Sequence, residues 1–90
     1  MKISYDLNKN QKNIDERGLS FDEVINFDWD SAKIAIDDRF DYGETRYIAA
    51  GFLGDRLHIL VFTPLTDGVR VISFRKANKR EIKHYEQTFD

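Results

Sequence analysis

The C-terminal third of the chain concentrates side chains that could bind phosphate. Residues 56–86 hold seven Lys and Arg against three Asp and Glu, whereas residues 1–55 hold seven against twelve. The candidate ligands are Arg70, Arg75, Lys76, Lys79, Arg80 and Lys83, joined by Lys9 and Arg46 from earlier in the chain. An arginine can hold two phosphate oxygens at once. The pattern indicates a local phosphate-binding surface, although the net charge of the whole chain is −2 and its pI is near 5.6.

If the bound phosphates are those of RNA, these residue types suit cleavage of the RNA by its own ribose. The 2′-oxygen attacks the adjacent phosphorus, so no protein nucleophile is needed and the absence of cysteine is no obstacle. The protein must supply a base, an acid and cations where charge develops on the phosphoryl oxygens. Glu81, His84 and Tyr85 are the acid–base candidates, and Lys76 could act as base if neighbouring cations favoured its neutral form. No metal or cofactor is expected.

Each candidate also has a simpler explanation. Arg70 and Arg75 could be solvated charges at the ends of a strand. Glu81 lies three residues after Asn78 and could do no more than complete a helix cap. A single exposed histidine such as His84 is often incidental.

Other candidates have similar alternatives. Arg46 shares a strand face with Glu44, so the two could pair with one another instead of serving a phosphate site. Tyr85 lies on the apolar face of a predicted helix, which favours a core role over contact with RNA. Lys9 could lie on the surface or reach the RNA, and His58 is most simply a strand residue.

Strand alternation bears on whether Arg70 and Arg75 act together. In a regular strand Arg70 and Phe74 point one way, and Ser73 and Arg75 the other. We expect the alternation to lapse at Arg75, where the strand gives way to a helix.

Length and composition describe one compact domain over residues 1–90. Hydrophobic residues make up 41% of the chain and proline occurs once, which favours a folded protein over a disordered one. The longest apolar run, residues 57–62, is too short to span a membrane, and the cytoplasm is the expected location.

The N-terminal half begins with a strand and two helices. Residues 2–6 alternate as a half-buried strand, and residues 8–16 form a helix with Asn8 as its cap and Gly18 at its end. The spacing of Ser20 and Glu23 predicts a capping box for the second helix. Its inward residues are predicted to be Phe21, Val24, Ile25 and Phe27.

Over much of the rest of the chain, apolar and polar residues alternate with a period of two. Four consecutive strands are predicted over residues 32–37, 45–53, 57–63 and 69–75, and a helix over residues 78–88 presents Ile82, Tyr85 and Phe89 on one face. The fold class is therefore α+β. It is a mostly antiparallel sheet, made of a four-strand meander and a short N-terminal strand, with two helices before the meander and one after it.

Four segments of the chain resemble a known family. Residues 70–77, Arg-Val-Ile-Ser-Phe-Arg-Lys-Ala, are similar to the Arg-Ile-Ile-Ser-Ala-Arg-Lys-Ala signature of the BrnT-type toxins. Residues 5–9, residues 18–23 and the Glu-x-Arg of residues 44–46 resemble that family's other motifs. The departures are Tyr5 for a usual Trp, Arg17 for a usual His, Leu65 for a frequent Arg and Phe74 for a usual Ala.

The resemblance implies a RelE-like fold and a ribonuclease toxin of a type II toxin–antitoxin pair. Such a protein cleaves RNA, inhibits translation and is neutralised by a cognate antitoxin, and the complex binds operator DNA through the antitoxin. The alternative is a related domain whose catalysis has decayed and which acts as a binding or regulatory module. The acidic pI, Arg17 and Leu65 favour that alternative slightly.

Overall fold

The computed structural model describes residues 1–88 and contains a five-stranded sheet and three helical segments. The elements are β1 (Lys2–Ser4), α1 (Leu7–Arg17), a 3₁₀ helix (Phe21–Asn26), β2 (Lys33–Asp37), β3 (Arg46–Leu53), β4 (Arg56–Leu65), β5 (Gly68–Lys76) and α2 (Lys79–Gln87). Within these residues, the helices are all too short or too polar to cross a bilayer.

The strand order is β1-β5-β4-β3-β2. Strands β2 to β5 form the predicted antiparallel meander, and β1 adds to it by pairing in parallel with β5. The central strand is β4, whose residues 57–62 are all buried, as expected of a run that is apolar on both strand faces except at His58.

One face of the sheet, which we call the aromatic face, carries Leu60, Phe62, Val71 and Phe74 and packs against the 3₁₀ helix and the residues after it. The Phe27 ring meets Phe74 edge-on, with 6.1 Å between ring centroids. Gly51 makes this approach possible, because a Cβ there would lie 2.5 Å from the Phe27 ring. Edge-to-face packing of this kind adds to the stabilisation from burial.

The N-terminal helices correct three predictions. The cap of α1 is Asp6, whose carboxylate accepts from the Lys9 N–H at 3.0 Å, and Asn8 lies inside the helix. The second helix is 3₁₀ rather than α, and the Ser20 side chain accepts from Asp22 and forms no capping box with Glu23.

The 3₁₀ geometry also explains which side chains point inward. With three residues per turn, Phe21, Val24 and Phe27 fall on one side and are buried, as predicted. The prediction that Ile25 points inward is wrong, since it is 57% exposed.

Polar contacts hold α1 in place. Asn10 accepts from the Phe21 N–H at 2.7 Å, and Asn13 donates to the carbonyls of Leu19 and Phe74. Strand β1 pairs with β5 only over Gly68–Arg70, so the Phe74 carbonyl lies beyond β1 on that edge. Helix α1 therefore covers the edge of β5 that β1 leaves open.

Helix α2 packs on the opposite face of the sheet. Ile82 and Tyr85 contact a cluster that contains Leu57, Ile59 and Ala77, which confirms their predicted inward direction; Phe89 lies outside the described residues. Asn78 and Glu81 form a complete capping box, so the predicted cap is confirmed.

Candidate functional site

Three of the predicted arginines lie on the face of the sheet against which α2 packs. We call it the cationic face and define it by Arg46, Arg70 and Arg75. The expectation that the alternation lapses at Arg75 is wrong, because β5 continues past this residue to Lys76. A register shift between Val61 and Phe62 leaves one extra residue, Ile72, in β5. This β-bulge reverses the alternation of side-chain directions along β5, so residues before and after Ile72 that would point to opposite faces point to the same face.

Cross-strand partners fix the direction of the arginine side chains. Arg70 lies opposite Thr63, and Arg75 lies opposite Ile59, which contacts α2. Thr63 and Ile59 are four residues apart on β4, so both arginines point to the α2 side. At about 3.3 Å per residue, their Cα atoms are roughly 13 Å apart.

Arg75 forms a bidentate ion pair with Glu81. The two nitrogen–oxygen distances are 2.8 Å each, and the Glu81 carboxylate also accepts from the Asn78 N–H at 2.9 Å. The hydrogen bonds from Arg75 lower the pKa of Glu81, and Glu81 in turn raises the pKa of Arg75. Because Glu81 is ionised at neutral pH and held on both sides, it is better suited to position Arg75 than to take up a proton.

Arg80 and His84 lie on the rim of a groove between α2 and strands β2 to β4. The groove has a volume of about 520 Å³, and its floor is formed by Ala35, Ile48, Ala50 and Ile59. Lys33 completes the basic rim and donates to the Thr88 carbonyl at 3.2 Å. Arg80 forms no ion pair among residues 1–88. An exposed cation and an imidazole therefore border an apolar cavity large enough for a nucleobase or an apolar side chain.

A further arginine was missed by the sequence analysis. Arg39 donates to the buried Asp37 carboxylate at 2.7 and 2.9 Å, which lowers the pKa of Asp37 to about 2. The charge of Arg39 also acts on Arg75, where it opposes the rise in pKa caused by Glu81. No local pattern in the acid-rich span 37–43 indicates that it brings a cation to the sheet.

Arg46 pairs with Glu44, as the simpler of its two explanations predicts, and it also contacts Tyr42. Its guanidinium lies 3.2 Å from the Glu44 carboxylate and 4.0 Å above the centre of the Tyr42 ring. These contacts hold the side chain in one orientation on the cationic face.

The remaining candidates are more dispersed. Lys76 points away from the cationic face and lines a cavity with Arg17. Lys79, Lys83 and Lys9 are exposed on the two helices. Tyr85 is buried and donates its hydroxyl proton to the Ser31 carbonyl at 2.8 Å, as a core residue would.

His58 belongs to the aromatic face. Its ring lies 5.2 Å from that of Phe74, and Nδ1 is 2.9 Å from the Arg56 carbonyl oxygen. Burial lowers the pKa of His58, and the nearby charges of Lys76 and Arg56 lower it further. The histidine is therefore neutral at physiological pH and satisfied within the fold.

Comparison with known proteins gives one family. Residues 5–81 match the model of a family described as the ribonuclease toxin BrnT of type II toxin–antitoxin systems. The matched range begins at Tyr5 and ends at Glu81, so it contains strands β2 to β5, the bulge and the Arg75–Glu81 pair. No curated protein matches the chain.

Proposed function

Since the chain belongs to the BrnT family of ribonuclease toxins of type II toxin–antitoxin systems, we propose that it is a metal-independent endoribonuclease toxin. It acts in the cytoplasm, cleaves RNA and thereby inhibits translation. Its sheet is of the RelE-like type. The observation that carries the proposal is the β-bulge at Ile72, which turns Arg70 and Arg75 to the same face as Arg46.

The roles follow from the surroundings of each residue. Arg75, fixed by Glu81, and Arg80, which is exposed beside it at the start of α2, stabilise the charge that develops on the phosphoryl oxygens. His84, on the rim of the same groove, exchanges protons with the 2′-hydroxyl or the leaving oxygen.

The other cations bind the RNA strand away from the reacting phosphate. Arg46 and Arg70 contact neighbouring phosphates along the cationic face, and Lys9, Lys79 and Lys83 add exposed positive charge. The step needs no metal in this scheme, because the nucleophile comes from the RNA and cations of the protein neutralise the phosphate.

The test is cleavage of RNA by the purified protein in excess EDTA. We expect products with 2′,3′-cyclic phosphate ends. Alanine at Arg75 or Arg80 should lower the cleavage rate by roughly 10²–10³-fold, the usual cost of removing one group that stabilises a transition-state charge. Arg70→Ala should likewise lower cleavage and relieve growth arrest. Lys12→Ala, which removes an exposed charge from α1, serves as the control.

Retained toxicity in folded variants would remove the arginines from the mechanism. A requirement for metal would show that the wrong chemistry was assigned.

The partner of the toxin is a cognate antitoxin, and operator DNA is bound only through their complex. An inhibitor must cover the phosphate site or distort it. The groove offers an apolar floor with Lys33, Arg80 and His84 on its rim, which complements a segment with apolar and acidic residues. Arg80→Glu should therefore weaken both RNA cleavage and antitoxin binding, and association should slow as salt rises. Unchanged antitoxin affinity in this variant would place the inhibitor elsewhere.

One observation favours a second function, a catalytically decayed binding module. Arg39, Arg46 and Arg75 each have a carboxylate partner within the chain, so three guanidinium groups are already occupied. Such a module would bind the antitoxin but leave RNA intact at every protein concentration. The cleavage assay therefore separates the two functions.

A further inference from the structure

A second concave surface lies at the edge of the sheet beside the end of β5. It is a cavity of about 300 Å³ lined by Arg17, Gly18, Leu19 and Lys76. Arg17 is the last residue of α1, and Gly18 ends the helix in the left-handed conformation at φ 65°. Lys76 is the last residue of β5. The fold therefore brings two cations together from positions 59 residues apart in the sequence.

The charges around this cavity are positive and unneutralised. Neither Arg17 nor Lys76 forms an ion pair in the described part of the chain. A third cation, Arg56, donates to the carbonyl of Ala77, the residue after Lys76. The nearby charges of Lys76 and Arg56, both positive, contribute to the lowered pKa of the neighbouring His58. An anion in the cavity would meet at least two cations.

The cavity and the cationic face share neighbouring residues of β5. Arg75 and Lys76 are consecutive residues of one strand, so their side chains point to opposite sides of the sheet. The turn after α1 and the start of α2 both lie at this end of β5. A chain of phosphates bound by Arg75 could continue past the end of β5 to reach Lys76 and Arg17.

We propose that Arg17 and Lys76 form a second phosphate-binding subsite, which holds a phosphodiester of the RNA strand outside the step that is cleaved. The proposal rests on the proposed ribonuclease function for the identity of the ligand. A guanidinium and an ammonium group at one cavity suit a phosphate, since arginine binds two of its oxygens and lysine adds a point charge. RNA carries a phosphate at every nucleotide, whereas an antitoxin is a protein and carries none. Binding of the antitoxin at this cavity is therefore treated as one outcome of the test.

A remote subsite of this kind binds substrate and transition state equally. Its loss should therefore raise KM and leave kcat unchanged, provided that the RNA is long enough to reach it. A dinucleotide contains only the scissile phosphate and should be cleaved equally by the wild type and the subsite variants.

The experiment uses the full chain with Arg17→Gln, Lys76→Gln and the matched control Lys12→Gln. Lys12 lies on the same helix as Arg17 and is exposed, so its loss removes the same charge outside the cavity. Binding is measured with a 2′-O-methylated oligonucleotide, which resists cleavage, over a range of salt concentrations. Each phosphate contact removed should reduce the slope of log K against log salt by about 0.7.

Four outcomes decide the proposal. Reduced slopes for Arg17→Gln and Lys76→Gln but not for Lys12→Gln support it, whether or not the wild type cleaves RNA. Normal slopes in folded variants overturn it, even when cleavage by the wild type supports the proposed function. An equal reduction of the slope in all three variants also overturns the proposal, because it indicates only a diffuse positive electrostatic field. Weaker binding of an antitoxin with unchanged RNA slopes would overturn it as well, since the cavity would then be a protein contact.

Discussion

The two faces of the sheet differ in what covers them and in how many charged side chains they carry. The aromatic face is closed by the 3₁₀ segment, and its central side chains Leu60, Val71 and Phe74 are at most 1% exposed. The cationic face is covered over only part of its area by the nine-residue α2, and two of its arginines, Arg46 and Arg75, are held by carboxylates. Burial therefore stabilises the fold mainly on one face, which leaves the other free to carry charge.

The largest expected effect is on the aromatic face. Phe74 is fully buried between the Phe27 and His58 rings. Phe74→Ala should lower the free energy of unfolding by about 3–5 kcal/mol, because it removes buried surface and leaves a cavity. The control is Phe40→Ala, at a side chain that is 70% exposed, which should stay within about 0.5 kcal/mol of the wild type. Equal urea midpoints for the two variants would contradict the contrast between the faces.

A second prediction tests how closely the aromatic face is packed. Gly51→Ala places a methyl group against the Phe27 ring and should cost about 1–3 kcal/mol. In a Phe27→Ala background most of this cost should disappear, since the colliding ring is gone. A double-mutant cycle followed by urea unfolding measures the coupling. If the two changes are additive, the glycine has another role.

A third prediction concerns the smaller energies of the cationic face. Glu81→Gln keeps a side chain that can complete the capping box but loses the ion pair with Arg75, so it should cost less than about 1 kcal/mol. Glu81→Ala loses both and should cost about 1–2 kcal/mol.

The cleavage rate gives this comparison a second readout. If Glu81 positions Arg75, both variants should lose activity by a similar factor despite their different stabilities. Activity that followed stability instead would show that only the cap matters.

The sequence predicted the local features of both faces well and their tertiary details less well. The meander, the α2 cap and the burial of Phe21 and Phe27 follow from periodicity and capping rules, and the structure has them. The bulge at Ile72 was not predicted, because neither glycine nor proline marks it. The Arg39–Asp37 pair depends on how a loop folds back, which periodicity does not encode.

The smallest expected effect is the pH dependence of stability, which should differ between the two faces. On the aromatic face, burial keeps His58 neutral, whereas the unfolded chain binds a proton below the ordinary histidine pKa of 6.5. The unfolded state then holds more protons, so stability should fall as the pH drops below 6.5, by no more than about 1.4 kcal/mol per pH unit from this residue.

On the cationic face, the pKa of Asp37 is lowered from 3.8 to about 2 and that of Glu81 is lowered from 4.5. Their contribution is complete above pH 4.5 and is lost only as the pH falls below it, through the lowered folded-state values. Urea unfolding of the wild type and His58→Leu between pH 5 and pH 7.5 should therefore show a pH dependence in the first and less in the second. Asp37→Asn should change the dependence only below pH 4. If His58→Leu retained the whole dependence above pH 5, the charge sensitivity in that range would belong to another group and the aromatic face would not be its source.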